Sequence, residues 1–315
     1  MPDSAVEVVK PAFKKLVAEN AELTLIADGM GFTEGCCYVP NGDYLIWSDI
    51  PNNRIHRWSE TNGVSVFREP SGNTNGNTVD REGRILHCET GGRQVSISEL
   101  DGSVHPYIHQ YGGRKLNSPN DIIVKSDGSV WFSDPDYGVL HPELGHGEQP
   151  EQETNRLYRF DPETRRVRSV VDDMDKPNGL AFSPDESVLY VAISRTGEQC
   201  LQEEERGEFC AHRKIRAFDV APDGTLRNNR VFADMASAEP GVPDGLKVDT
   251  EGRIFCTGSG GIWVLDPAGN KLGVIRGPEV PRNMAFGGPD FRTVYTTPGE
   301  SLYSFRVKTP GIGAY

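Results

Sequence analysis

The stretch N-G-L-A-F-S-P-D-E, residues 178–186, shows a pattern that the chain uses six times: a polar residue, a short apolar strand and a turn residue seven positions on. The polar positions are Glu34, Asn75, Asn120, Asn178, Asp244 and Asn283. Successive copies lie 41, 45, 58, 66 and 39 residues apart. A repeat of about 40 residues with several short strands in each copy is typical of a β-propeller. We therefore predict an all-β, six-bladed β-propeller with four antiparallel strands per blade.

The last copy of the repeat is one strand short. Residues 23–27, L-T-L-I-A, precede the first copy and belong to no other unit. We expect this segment to pair with residues 302–307 as the missing outer strand, because a closed ring leaves no open sheet edge. The predicted domain organisation is an arm at 1–20, with a short helix after Pro11, and a single propeller domain at 21–315.

Composition narrows the possible partners. The 315 residues carry a formal charge of −13, and binding to nucleic acid or to an anionic membrane requires basic patches. No apolar run approaches the roughly 18 residues of a membrane span, and the first residues do not form a secretory signal. We expect a cytoplasmic protein that binds neither nucleic acid nor membranes, as a monomer or a weak homo-oligomer.

The six cysteines fall into two groups. Four lie in predicted strands, where a thiol behaves as a small buried apolar group. These are Cys36, Cys37, Cys88 and Cys256. Cys200 and Cys210 instead bracket the polar loop C-L-Q-E-E-E-R-G-E-F-C. They could form a disulfide, and the sequence does not decide whether they do. No C-x-x-C motif occurs, which argues against a zinc–thiolate site.

Two insertions lengthen the third and fourth copies, at 136–155 and 194–212. Each lies between the second and third strands of its unit. Connections in an antiparallel sheet alternate between the two ends, so both insertions are predicted at the end that carries the polar repeat positions. Long loops on a rigid scaffold often form lids or binding loops. His141 and His146 in the first insertion are therefore further candidates for this mouth.

The polar repeat positions form an oxygen-rich set. Glu34 and Asp244 supply carboxylates and Asn178 supplies a neutral carbonyl oxygen, which are ligands that hard divalent cations prefer. Without a cation, two carboxylates at one narrow mouth would repel each other. An alternative for Asn75 and Asn283 is that their side chains cap strand ends through nearby backbone amides. Motifs of serine hydrolases, zincins and P-loop proteins are absent from the sequence.

Five motifs in order carry a family resemblance. They are T-E-G at 33–35, L-N-S-P-N-D-I-I-V at 116–124, W-F-S-D-P-D-Y-G at 131–138, P-N-G-L at 177–180 and P-D-G-L at 243–246. Together they resemble the senescence marker protein (regucalcin)/gluconolactonase/luciferin-regenerating enzyme family, and most of all its bacterial gluconolactonase branch. The resemblance implies a six-bladed propeller with one divalent metal at the channel mouth. The family's metal-binding Glu, Asn and Asp match Glu34, Asn178 and Asp244.

The resemblance also assigns the substrate side. The family's substrate-binding Asn matches Asn120, which is followed by Asp121. Regucalcin-like members carry an Arg two residues before this Asn that contacts the sugar, whereas this chain has Ser118 there. Other residues must then contact the substrate. The candidates by position are Arg93, Arg114, His87 and Glu89, with Asp121 and Asn75 as further ones.

The predicted function is that of a metal-dependent lactonase that opens a sugar lactone, such as a gluconolactone, to its aldonic acid. Asp244 is predicted to take a proton from the attacking water while it binds the metal, and Asn120 to hold the substrate. Calcium is the first expectation for the metal, and zinc, manganese, magnesium or iron are alternatives. Alternative functions are a phosphotriesterase-like or other ester hydrolase and a non-catalytic calcium-binding protein.

Overall fold

The computed structural model describes residues 6–18, 21–145, 147–195 and 213–314. Over these residues the chain is all-β and forms six antiparallel sheets arranged as the blades of a propeller. The inner strands of neighbouring blades contact one another around a central channel, and the last blade contacts the first. No helix in the described ranges is long and apolar enough to cross a membrane. The predicted six-bladed propeller is confirmed.

Blades 1 to 3 follow the predicted arrangement of four strands, counted outward from the channel. Blade 1 consists of Thr33–Val39, Tyr44–Asp49, Arg54–Ser59 and Gly63–Arg68. Blade 2 consists of Thr74–Val79, Ile85–Glu89, Gln94–Ser98 and Val104–Ile108. Blade 3 consists of Ile122–Val124, Val130–Asp134, Arg156–Asp161 and Arg166–Val171. A small hairpin, Gln110–Tyr111 with Arg114–Lys115, joins blades 2 and 3.

Blades 4 to 6 complete the ring. Blade 4 consists of Pro177–Phe182, Val188–Ser194, Arg213–Val220 and Leu226–Asp234. Blade 5 contains Leu246–Val248, Ile254–Gly258, Gly261–Leu265 and Lys271–Ile275. Blade 6 contains Pro281–Gly287, Thr293–Pro298 and Leu302–Arg306. The helices in the described ranges are one short α-helix, Tyr137–Leu140, and the 3₁₀ turns Pro11–Lys15, Pro40–Gly42 and Pro142–Leu144.

The N-terminal segment closes the ring and also extends it. Thr24–Ala27 pairs antiparallel with Leu302–Arg306 and supplies the fourth strand of blade 6, as predicted. Val6–Val8 pairs with Lys271–Ile275 and gives blade 5 a fifth strand. The expectation of four strands in every blade is therefore wrong for blade 5. Val6 and Phe13, which lies in the following 3₁₀ turn, both belong to the apolar cluster between blades 5 and 6. The N-terminal segment therefore packs on the ring.

The core consists of separate apolar layers, one between each pair of neighbouring blades. Side chains alternate between the two faces of a strand, so one strand serves two layers. Cys36 packs toward blade 6, whereas Cys37 packs toward blade 2. Cys88 and Cys256 also belong to these layers, and all four thiols are free and buried, as predicted. Cys200 and Cys210 lie outside the described residues.

Candidate active site at the channel mouth

The polar repeat residues stand where the inner strands begin, and the strands are irregular there. In four blades the pairing of the first and second strands shifts register next to the repeat position. The shifts fall between Glu34 and Cys37, Thr74 and Asn77, Pro177 and Leu180, and Pro281 and Asn283. A bulge re-aims side chains at a strand end. Because of the bulge, the direction of the polar side chain does not follow the regular alternation of side chains along the strand after it.

The glycine after the polar residue lets the inner strands meet. Gly35 has a φ of 52°, and a Cβ there would lie 1.9 Å from the carbonyl oxygen of Asn75 in the next blade. At Gly179 a Cβ would lie 2.2 Å from the carbonyl oxygen of Asp244. Any side chain at either place would push neighbouring strands apart. The E-G and N-G pairs of the sequence therefore bring the polar residues of adjacent blades close together.

Five of the six repeat residues line one cavity of about 230 Å³ at this mouth. They are Glu34, Asn75, Asn120, Asn178 and Asp244. The rest of the wall is mixed, with Phe32, Ile50, Thr90, Tyr137, His141, Glu143, Leu144, Ser194, Val242 and Arg282. Asn283, the sixth repeat residue, lies behind the wall, where its Nδ2 donates to Glu34 Oε2 at 3.1 Å. The repeat thus builds a small polar pocket and one support for it.

The two carboxylates of the pocket are buried. Glu34 is 3% exposed and Asp244 7%. Burial raises the pKa of Glu34 to about 7, although hydrogen bonds from Gly35 N–H and Asn283 lower it in part. Burial and repulsion from Glu34 raise the pKa of Asp244. A cation bound between the two carboxylates would favour their charged forms.

Three pocket oxygens, two from amides and one from a carboxylate, have no hydrogen-bond partner among the described residues. Within the described part of the chain, Asn178 Oδ1, Asp244 Oδ1 and Asn75 Oδ1 are buried without a hydrogen-bond partner. Buried oxygens are normally satisfied, so these three call for a ligand. No three His, Cys, Asp or Glu side chains cluster as a metal site in the described ranges. A divalent cation would therefore have two acidic ligands and the Asn178 amide oxygen, an all-oxygen set that fits a hard ion.

Asp121 lies below the pocket rather than in its wall. It is buried, its Oδ1 accepts a hydrogen bond from Ile122 N–H, and its Oδ2 lies 3.8 Å from Lys247 Nζ. Its charge contributes to the raised pKa values of both Glu34 and Asp244. Asp121 does not line the cavity, so the structure does not bring this predicted substrate residue to the pocket wall.

Four other predicted substrate residues lie away from the cavity. His87 is fully buried and bonds Asn77 Oδ1 at 2.6 Å and Ser98 Oγ at 2.8 Å. Glu89 of blade 2 accepts from Arg68 of blade 1 at 2.7 Å. The polar groups of His87 are thus satisfied within blade 2 and those of Glu89 partly across to blade 1. Neither residue lines the cavity, so the structure does not place them at the predicted substrate site.

Arg93 and Arg114 support the first insertion instead of contacting the pocket. Arg93 Nε donates to Leu116 O at 2.8 Å, and its Nη1 donates to Glu148 Oε2 at 2.7 Å. Arg114 is exposed and pairs with Glu153 at 3.2 Å. Neither arginine lines the cavity, so the structure does not bring these two predicted substrate residues to the pocket; both guanidinium groups face the insertion. Ser118 is likewise used internally: its Oγ donates to Pro135 O and accepts from Gly138 N–H.

The first insertion overhangs the mouth, as predicted. Tyr137, His141, Glu143 and Leu144 all line the cavity. Tyr137 Oη donates to Ser194 O at 2.6 Å and so ties the insertion to blade 4. His146 and residues 196–212 of the second insertion lie outside the described residues. The segment around the short helix Tyr137–Leu140 therefore covers one side of the pocket, and we call it the roof.

Arg282 is the site residue that the sequence reasoning missed. It directly precedes Asn283 and lines the cavity. The other residues that precede repeat positions are Thr33, Thr74, Pro119, Pro177 and Pro243. Arg282 is thus the one charged residue at this place in the repeat. That departure was a readable signal.

A second, larger cavity of about 420 Å³ opens at the far end of the channel. Its wall comes from later residues of the inner strands, such as Val79, Ile123 and Phe286, and from the tail residues Ile312 and Ala314. Lys247 is the basic residue in this wall. The unsatisfied oxygens of the repeat positions do not line it. The candidate site is therefore the smaller cavity at the mouth.

Comparison with known proteins gives the family. The model of the SMP-30/Gluconolactonase/LRE-like region matches residues 32–299. A gluconolactonase of Zymomonas mobilis is 29% identical over 96% of this chain and 85% of its own length. A solved gluconolactonase structure from Xanthomonas campestris is 33% identical, with a TM-score of 0.86 over 97% of this chain and 95% of that one. A pentonolactonase of Haloferax volcanii is 28% identical over 84% of this chain and 80% of its own. The chain belongs to the SMP-30/gluconolactonase/LRE-like family.

Proposed function

We propose that this protein is a metal-dependent lactonase that opens a sugar lactone of the gluconolactone type to its aldonic acid. The enzyme class, a lactonase, rests on the family match and on relatives named for lactone hydrolysis. The observation that carries the finer proposal is the pocket itself. Glu34, Asp244 and the unpartnered Asn178 oxygen line one small, buried cavity of about 230 Å³.

The proposed metal ligands are Glu34, Asn178 and Asp244. Their donors are all oxygens, which favours calcium first, and magnesium, manganese, zinc or iron as alternatives. A bound ion supplies Lewis-acid polarisation of the lactone carbonyl and offsets the negative charge of the oxyanion. Asn283 supports this set, because its amide donates to Glu34 Oε2 and fixes that carboxylate.

The protein groups divide the reaction between them. Asp244 takes a proton from water as the water oxygen bonds to the lactone carbonyl carbon. The bond from that carbon to the ring oxygen then breaks, and the proton passes from Asp244 to the ring oxygen. Asn120 and Asn75 hold the sugar with their side-chain amides from the cavity wall. Phe32, Val242 and Leu144 exclude bulk water from the same space.

The roof over the pocket favours an enzyme over a non-catalytic calcium-binding protein. Tyr137 and Leu144 of the first insertion close one side of the cavity. A site that only stored an ion would not require a wall of apolar and hydrogen-bonding groups beside it. A cavity of this kind suits an enclosed small molecule.

The decisive experiment follows lactone opening through the acid it releases. The protein is stripped with a chelator, and single metals are added back before assay on a panel of sugar lactones. We expect no activity in the stripped protein and recovery with at least one divalent ion, calcium first. Hydrolysis of a phosphotriester but of no lactone would support the alternative esterase. Full lactonase activity after verified metal removal would contradict the metal-dependent mechanism.

A further inference from the structure

Arg282 brings to the pocket a guanidinium that forms no hydrogen bond with the described residues. Its side chain lines the cavity beside the proposed ligands and lies over the ring of Phe32, 5.3 Å from the ring centre. Its Nε is buried without a hydrogen-bond partner, and its guanidinium forms no ion pair within 4.0 Å in the described ranges. A guanidinium has five N–H donors and stays protonated. Several of these donors are free for a ligand.

Two other partly buried arginines of the ring, Arg68 and Arg253, are held by protein acceptors. Arg68 donates to Glu89 and Ser96, and Arg253 donates to Asp249 and Thr309. Both of those pairs hold neighbouring segments together. Arg282 differs because it faces a cavity and is held by a ring contact alone. A polar group with unmet donors in a pocket wall is a candidate for binding a ligand.

The charge of Arg282 reaches both acids without bonding either. It lowers the pKa of Glu34 and of Asp244, although burial outweighs it at both carboxyls. The guanidinium is thus near enough to share the pocket with the proposed metal ligands. It does not occupy their oxygens, which remain unpaired at Asp244 Oδ1. The ion site and the arginine are neighbours within one cavity.

We propose that Arg282 binds the reacting end of the substrate: it donates to the lactone carbonyl oxygen and, after opening, to the carboxylate of the aldonate product. This assignment rests on the proposed lactonase function. The guanidinium fork matches a carboxylate, and its charge favours the carbonyl more as negative charge develops on the oxygen. Phe32 holds the fork in place through its ring face.

A competing role for Arg282 is to offset the two buried acids. The two roles predict opposite changes in metal affinity when Arg282 is replaced by Gln. A cation beside a metal site repels the metal, so Arg282→Gln should bind the metal as tightly as the unchanged protein or more tightly. If Arg282 instead kept the acids in place for the metal, the same change would weaken metal binding.

The test uses Arg282→Gln and Arg282→Lys, with Arg292→Gln as the matched control at an exposed arginine of the same blade. At saturating metal we expect Arg282→Gln to lower kcat/KM for gluconolactone by about tenfold to hundredfold, the value of a hydrogen bond to a charged group. The inhibition constant of gluconate should rise by a similar factor. That of glucitol, which lacks the carboxylate, should not change. Arg282→Lys keeps the charge without the fork and should recover part of the loss.

The outcomes separate this proposal from the function on which it rests. An unchanged gluconate constant in Arg282→Gln, or a parallel fall in metal affinity measured by titration calorimetry, would overturn the role of Arg282 and leave the lactonase standing. If the unchanged protein opens no lactone, the proposed function fails. Gluconate and glucitol binding to the metal-loaded protein still test Arg282 in that case, because selective loss of gluconate affinity would show that it holds a carboxylate. If Arg282→Gln does not fold, Arg282→Lys still tests the guanidinium fork: the gluconate inhibition constant should rise while that of glucitol stays unchanged, and an unchanged gluconate constant would overturn the proposal.

Discussion

The two ends of the central channel are built from the same inner strands but present different groups. At the mouth, Glu34 and Asn178 present buried oxygens to a cavity of about 230 Å³. A few residues further along the same strands, Cys37 and Phe182 line the larger cavity at the far end. Position along a strand therefore separates the residues of the proposed active site, at the strand start, from residues that pack between blades.

A buried charge pair separates the two ends. Asp121 lies below the mouth cavity, and Lys247, 3.8 Å away, belongs to the wall of the far cavity. The far end is further covered by the tail, where Ile312 N–H bonds Val248 O and Gly311 bridges Asp249. Substitutions at the mouth should thus change activity, whereas those at the far end should change stability.

The largest effect is expected from Asp244→Asn at the mouth. At saturating metal its lactonase rate should fall by about 100-fold to 10,000-fold, because the proton acceptor is lost even when the ion is bound. Glu34→Gln and Asn178→Ala should instead be rescued in part by excess metal, since their main defect is occupancy. Steady-state kinetics across a metal titration measures both. Full activity of metal-saturated Asp244→Asn would end its role as base, and Asp290→Asn at an exposed turn is the control.

At the far end, Gly311→Ala should destabilise the protein without slowing it. A Cβ on Gly311 would lie 1.8 Å from the Phe286 ring, so the tail must move or the ring must be displaced. Overpacking of this kind costs about 1–3 kcal/mol of unfolding free energy. Thermal and denaturant unfolding measure that loss, and kcat/KM should be unchanged. Gly277→Ala is the control, because there the nearest atom to the Cβ would be the end of the Leu23 side chain at 3.2 Å.

A pH-dependent effect is expected at His87, which bonds Asn77 in the wall of the far cavity. Burial, with a smaller contribution from Arg68, lowers the pKa of His87 to about 3. An unfolded histidine takes up a proton near pH 6.5, so stability from this residue is complete above that pH and is lost as pH falls toward 3. The slope is about 1.4 kcal/mol per pH unit. Urea unfolding of His87→Gln between pH 7 and 4.5 should lack this slope, and equal slopes would contradict the assignment.

The smallest effect should follow from loosening the roof of the mouth. Arg93→Met removes the buried contacts to Leu116 and Glu148 that hold the first insertion. We expect kcat/KM to fall several-fold, to about a tenth at most, with metal affinity unchanged, because misplaced wall residues align substrate less well. Arg114→Met removes exposed contacts to Glu151 O and Glu153 and is the control. Equal effects of the two changes would show that the roof does not act through Arg93.

Local patterns made the fold predictable. The six repeat residues and the turn residues seven positions later fix strand starts and ends, and the unpaired 23–27 segment predicted the closure that Thr24–Ala27 makes. The same repeat brought Glu34, Asn178 and Asp244 together. Because the polar residue recurs once per blade, symmetry alone predicts that the copies converge.

The errors arose where the repeat gives no direction. His87 and Glu89 were placed near the pocket from their position along a strand, but each blade is packed on both faces. The alternation of side chains along a strand therefore does not predict which of them face the channel and which pack between blades. Arg282 was missed for the opposite reason. Its signal is a departure from the repeat, whereas the predicted site rests on the positions that the six copies share.

Closure of the ring by Thr24–Ala27 has a consequence for how the protein is made. The strand leaves the ribosome early, but its partner, Leu302–Arg306, is synthesised only after all the other blades. Blades 1 to 5 can form and stack in order while the first one keeps an unmatched flank. Such a chain exposes sheet edges for most of its synthesis, which is when aggregation competes with folding. In the last step blade 6 packs against blade 1, which brings together the segments that lie furthest apart in the sequence. The complete channel and its mouth therefore form only at the end of translation.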